Sequence, residues 1–130
     1  NVCSFVQRGA LEALKIGNDF FSKINSHYDQ RRDLLYRGLK NIKGITIQKP
    51  HGAFYAFPRL PDASISSVYF CEKILENYGL VLVPGKPFGD DQCIRISCAN
   101  SKENIVNGLK RLEMAINFYY SNLWINAKNQ

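Results

Sequence analysis

A chain of 130 residues suits one domain and makes two independent cores improbable, while 45% hydrophobic and 12% aromatic residues exclude a disordered segment. No apolar run approaches the ~20 residues of a membrane span, and no basic-then-apolar signal segment opens the chain. The net charge of +6 is concentrated in one stretch, Arg31, Arg32, Arg37, Lys40, Lys43 and Lys49, opposed within it only by Asp33.

Residues 4–14 read as a helix, with Phe5, Val6, Ala10, Ala13 and Leu14 at helical spacing. Gly17 interrupts, and Asn18 is placed to cap a longer second helix whose apolar face is Phe21, Ile24, Tyr28, Leu35, Leu39 and Ile42. Arg31 and Arg32 fill the gap in that face, their stems lying over the core. Gly38 inside the helix marks either a close backbone approach or a weak point, and Gly44 is placed to end the helix. Ile45-Thr46-Ile47 reads as a short strand, residues 50–52 as a turn, and Ala53-Phe54-Tyr55-Ala56-Phe57 as a second strand ended by Pro58 and Pro61.

A third helix is expected from about Ser64 to Tyr78, with Val68, Cys71, Leu75 and Tyr78 inward and Gly79 as its cap. Leu80-Val81-Leu82-Val83 reads as an apolar strand, residues 86–92 as a loop, and Cys93-Ile94-Arg95-Ile96-Ser97-Cys98 as the last strand. Ser101 caps a final helix with Glu103 in its first turn and a stripe of Ile105, Leu109, Leu112, Ile116, Tyr119 and Leu123. The order α-α-β-β-α-β-β-α predicts an α+β fold, a small, mostly antiparallel sheet with helices packed against it. The domain is expected over residues 1–123, with 124–130 a polar tail.

The basic stretch reads as a solvated helix face and turn rather than a nucleic-acid patch, because no RNA-module pattern of aromatics and glycines accompanies it. Cys3, Cys71, Cys93 and Cys98 form no C-x-x-C pair, and His27 and His51 stand apart from them in sequence. A metal site is therefore not expected, and the last three cysteines read as buried free thiols of a reducing, cytoplasmic setting. No Walker or dinucleotide glycine loop is present, and Pro87 removes an amide that a phosphate nest at residues 85–89 would need. The acids Glu72, Glu76, Glu103 and Glu113 read as solvent-facing on helices, and His51 as exposed in its turn. No catalytic residue emerges.

One residue breaks the pattern. Arg95 stands between Ile94 and Ile96, sharing a face with Cys93 and Ser97, while Ile94, Ile96 and Cys98 point the other way. An unpaired buried charge costs several kcal/mol, so its guanidinium needs a partner. Two readings stand: an edge-strand arginine held by a helix acid or water, or a planar fork presented to a carboxylate or phosphate.

Three segments in series resemble the C-terminal (small) domain of fold-type I pyridoxal-phosphate aminotransferases, in their class I aspartate-aminotransferase-like branch. They are Pro50-His51-Gly52-Ala53-Phe54-Tyr55, then residues 79–85 (Gly-Leu-Val-Leu-Val-Pro-Gly) with Phe88-Gly89, and then residues 94–101 (Ile-Arg-Ile-Ser-Cys-Ala-Asn-Ser). In that family a Gly-Ala-Phe-Tyr strand, a Val-Val-Pro-Gly-x-x-Phe-Gly strand and loop, and an Arg-x-Ser strand capped into a helix follow one another. Residues 7–14 and Arg31-Arg32-Asp33-Leu34-Leu35 are similar to its interdomain helices, so the likeness runs from about Asn1 to Ile116. Cys98 and His51 depart from the residues usual at their positions.

The resemblance implies that Arg95 receives the substrate α-carboxylate and that Phe54 lines the substrate pocket, unless Phe54 is simply a core residue of its strand. It implies a parent transferase that uses pyridoxal phosphate to move an amino group between an α-amino acid and an α-keto acid, with an N-terminal large domain and a homodimeric partner. The Schiff-base lysine, the acid on the pyridinium nitrogen and the phosphate-binding groups lie upstream in that family. The 130 residues alone are therefore expected to bind no cofactor and to be inactive. A stand-alone α+β binding or regulatory module, and part of a related pyridoxal-phosphate lyase or synthase, are the alternatives.

Overall fold

A computed structural model of the chain describes the backbone of residues 1–127 and the side chains of residues 1–120. Four helices and a three-stranded sheet follow the chain as α1 (Ser4–Leu14), α2 (Asn18–Asn41), β1 (Tyr55–Ala56), α3 (Ser67–Tyr78), β2 (Val83–Pro84), β3 (Ile94–Ser97) and α4 (Lys102–Ala127). A 3₁₀ turn, Lys86–Phe88, links β2 to β3. The sheet order is β1-β3-β2, antiparallel throughout. This is the α+β architecture expected from the sequence. None of the helices, over the described residues, is long and apolar enough to cross a membrane.

One core joins both layers. Ala56, Ile94 and Cys98 from the sheet side meet Leu35, Leu39, Phe70, Ile74, Leu112 and Ile116 from the helices, all nearly inaccessible to water. Gly38 marks a close approach: a methyl group there would run into the side chain of Leu109 on α4, so the glycine lets α2 and α4 pack in contact. Ser101 caps α4, its hydroxyl accepting the amide of Asn104 at 3.1 Å. The stripe of α4 is confirmed at Ile105, Leu112 and Ile116, with Leu109 and Tyr119 half-buried, whereas the side chain of Leu123 lies outside the described residues. The backbone stays helical through residue 127, so the part of the expected tail outside the described residues is 128–130.

The strands are shorter than the apolar runs suggest. Residues 45–47 contribute only a bridge, Thr46 to Arg59. Ala53 adopts φ 56°, in the left-handed region, which breaks the expected 53–57 strand before Tyr55. Residues 80–82 lie outside the ladder with Val81 75% exposed, and the amide of Leu80 turns back to the Ile74 carbonyl.

The third helix starts later than Ser64, because the Ser64 amide is taken by the Asp62 carboxylate at 2.8 Å. Ser66 provides the cap instead, its hydroxyl accepting from Tyr69 N at 3.2 Å. Its inward face is Ser67, Phe70, Cys71 and Ile74, a rotation from the expected face that leaves Leu75 half exposed. Gly79 closes the helix in the left-handed conformation.

The N-terminal region differs. Helix α1 buries no residue, and Phe5, Leu14, Phe20, Phe21 and Ile24 are exposed, so the expected inward face of α2 holds only from Tyr28 onward. The helix geometry is as predicted, but among the described residues nothing packs on that end.

Candidate functional site

Strand β3 is central, with β1 on one side and β2 on the other, so Arg95 is not on a sheet edge. Its register sets Arg95 opposite Val83 and Ser97 opposite Tyr55. Tyr55 is thereby diagonal to Arg95 on the same face, within reach of an aromatic ring. The guanidinium carbon lies 4.4 Å from the centre of the Tyr55 ring and 4.6 Å from that of Phe88, held between two aromatics. Among the described residues no acid pairs with it. The two rings cover a half-buried cation and hold its plane, and a carboxylate approaching in plane meets a preset fork of N–H donors.

The rings continue outward. Phe88 meets Phe57 edge-on at 6.2 Å; on the other side Tyr55 lies 4.4 Å from Phe54, which lies 6.3 Å from Tyr28. Phe54, Tyr55, Phe57 and Phe88 are each between 39% and 51% exposed, an apolar, accessible surface around one cation. Phe54 is thus a surface-lining residue and not a core strand residue. Cys93 departs from the expected pattern: although it shares parity with Arg95, it is buried, its thiol donating to the Asp90 carboxylate at 3.4 Å.

Phe88 is carried by a turn with little freedom. The amide of Gly85 donates to the Cys93 carbonyl at 2.8 Å, and a methyl group at Gly85 would collide with the carbonyl oxygens of Asp90 and Cys93. The Asp90 carboxylate accepts from Gln92 N at 2.9 Å and from Arg59 at 2.7 Å, and Arg59 also reaches the Gln92 side chain. That acceptance, led by the Gln92 amide, holds the Asp90 carboxyl below its ordinary range. Sequence reasoning singled out Arg95 and Phe54, and the structure places both on this surface. It missed the clamp of Tyr55 and Phe88, because linear spacing does not show that residues 55, 88 and 95 meet.

The neighbouring cations are already engaged. A hollow of about 440 Å³ beside Tyr55 is lined by Thr46, Lys49, Phe57, Arg59 and Cys93. Lys49 lies 3.1 Å from Asp33, whose carboxyl is held low first by Lys49 and then by Arg32, and Arg59 lies 2.7 Å from Asp90. Most of the basic stretch is likewise a solvated face: Arg32 pairs with Asp29 and Asp33, and Arg31 lies over the Tyr28 ring. The buried thiols are chemically quiet, burial pushing Cys71 up to about 12 and Cys93 up to about 11.

Comparison with known proteins gives this surface its context. The family described as "Aminotransferase class I and II" matches residues 1–112. An aspartate aminotransferase of Pyrococcus horikoshii is 38% identical over 120 residues, which cover 89% of this chain and 31% of that protein. A probable aspartate/prephenate aminotransferase of Aquifex aeolicus is 37% identical over 121 residues, covering 89% and 31%. Among solved structures, an aspartate aminotransferase of Thermotoga maritima superposes with a TM-score of 0.78 at 31% identity, covering 89% of this chain and 29% of that one. The chain thus spans about a third of the length of the relatives it matches. With the sequence matched over most of its length and the fold shared, the chain belongs to the class I and II aminotransferase family.

Proposed function

We propose that this chain is the C-terminal, substrate-clamping portion of a pyridoxal-phosphate aminotransferase of aspartate type, with Arg95 receiving the α-carboxylate of the amino-acid substrate. The observation that carries the reading is the Arg95 guanidinium, half-buried in the central strand, stacked between Tyr55 and Phe88 and unpaired with any acid of the described residues. A two-pronged salt bridge on a preset fork fixes the orientation of the substrate, and the surrounding rings exclude water and strengthen it. Phe54 lines the approach.

Pyridoxal phosphate needs a lysine for its imine and a partner for its pyridine nitrogen. The residues here do not fit it by themselves: Arg95 is flanked by rings and not by a lysine, and Lys49, which lines the hollow beside Tyr55, is engaged by Asp33 at 3.1 Å. The transfer chemistry belongs to an N-terminal large domain of the same protein, and these 130 residues alone do not transaminate. The uncovered apolar face of α1 and the start of α2 is consistent with such a domain resting there. The working protein is a cytoplasmic homodimer acting on α-amino and α-keto acids.

The test is kinetic and uses the full-length protein. Arg95→Lys keeps the charge and loses the fork, and kcat/KM for the amino acid falls about 10²–10³-fold, or about 3–4 kcal/mol. Activity within a few-fold of wild type toward every amino acid tried would remove Arg95 from this role. Product analysis separates a transferase from a lyase or synthase: a transferase converts an added α-keto acid into the matching amino acid.

A further inference from the structure

Phe88 is the more exposed wall of the clamp, half open to solvent, and among the described residues its ring meets one other ring, that of Phe57, edge-on, so its side-chain packing alone holds it weakly against Arg95. The backbone turn must hold it. That turn is fastened from below by the one polar residue fully buried among the described residues, Ser67, at the first position of α3. The Ser67 hydroxyl donates to Asp91 Oδ1 at 2.6 Å and accepts the amide of Lys86, the first residue of the turn, at 3.2 Å. The Ser67 amide donates to the same carboxylate oxygen and to the Asp91 carbonyl, each at 3.0 Å. One buried side chain therefore ties the start of the turn, through Lys86, to the segment that leads into β3, through Asp91.

We infer that Ser67 and Asp91 are positioning residues for the carboxylate receptor: they hold the Lys86–Phe88 turn, and through it the Phe88 ring that fixes the plane of the Arg95 guanidinium. The inference deepens the function proposed above and rests on it for its meaning in catalysis, but its geometry is independent of any substrate. Removing the hydroxyl leaves the Lys86 amide without its partner and one lone pair of a partly buried carboxylate unmatched, which favours a looser turn. The rotation of α3 that buries Phe70 and Ile74 follows from the same latch, since it requires Ser67 to point inward.

Aromatic ring currents give a readout that simple destabilisation does not move. The Arg95 side-chain protons lie over two rings and resonate upfield of an ordinary arginine, and Phe88→Leu in this chain measures the share owed to Phe88. The prediction is that Ser67→Ala moves the Arg95 resonances by at least about half of the Phe88→Leu shift, while the methyl signals of Ile74 and Ile94 stay in place. Ser67→Thr, which keeps a hydroxyl, restores the wild-type position. Arg95 resonances unchanged in a folded Ser67→Ala chain overturn the inference. Should Ser67→Ala not fold, Asp91→Ala removes the other half of the latch from a more accessible site and is read by the same two criteria. Acetate serves as the carboxylate probe: if it leaves the wild-type Arg95 signals unmoved, the carboxylate role falls, whereas the positioning of Phe88 is judged by the ligand-free shifts alone.

Discussion

The two faces of β3 are built from the same four residues and do opposite things. On one face Ile94 is wholly buried and joins Leu39, Ile74 and Leu112 in the core. On the other Arg95 stands between two rings, in a surface that every described neighbour leaves partly open. The first face is closed by α2, α3 and α4, and its side chains contribute stability. The second is left partly open within the described residues, the rings of Tyr55 and Phe88 covering Arg95 only in part, and under the proposed function its side chains contribute recognition. A strand whose pleat alternates between these roles can vary its open face at little cost to folding, so function can be placed there.

That contrast predicts where substitutions will hurt. Ile94→Ala, on the closed face, costs about 3 kcal/mol in chemical denaturation, the sum of lost burial and a poorly filled cavity. Arg95→Leu, one position along, costs at most about 1 kcal/mol, since it loses ring contacts and leaves no buried partner unpaired. Equal losses for the two would erase the distinction between the faces. Gly38→Ala forces Leu109 aside at the α2–α4 contact and costs about 2 kcal/mol. Ser101→Ala removes the α4 cap at a cost of about 1 kcal/mol, without change at the Arg95 surface.

The smallest effect is on pH dependence. Asp33, Asp90 and Asp91 have carboxyls held below the ordinary 3.8, by Lys49 and Arg32, by the Gln92 amide, and by the Ser67 hydroxyl respectively. Because the folded values lie below the unfolded ones, the stabilisation is complete above 3.8 and is lost as pH falls through the folded values. Denaturation midpoints are therefore flat from neutral pH down to about 5 and drop below about 4, and Asp91→Asn makes that drop shallower.

Helix existence was legible because it depends on local pattern. Spacing found α1, α2 and α4, and local chemistry found the caps at Ser101 and Gly79. What failed depended on partners. Phe21 and Ile24 keep the apolar pattern of a buried face, but periodicity states that a face is to be covered and not by what. Leu80–Leu82 read as a strand because they are apolar, whereas strand identity needs a neighbouring ladder, and that forms only at Val83 and Pro84. Ser67 carries no signal in the linear sequence, since its burial depends on Asp91, far along the chain. Arg95 was visible as a charge in an apolar strand; its ring partners were not, because they come from two other segments.

The central claim, that Arg95 holds the substrate by its carboxylate, is tested most directly by changing both partners in the full-length protein. Wild type and Arg95→Lys are each assayed with an α-amino acid and with the amine that lacks only its carboxylate. The account predicts that wild type prefers the amino acid strongly and that this preference shrinks about 10²–10³-fold in Arg95→Lys, with the amine reacting almost equally in both. A preference for the carboxylate that survives Arg95→Lys intact would contradict it.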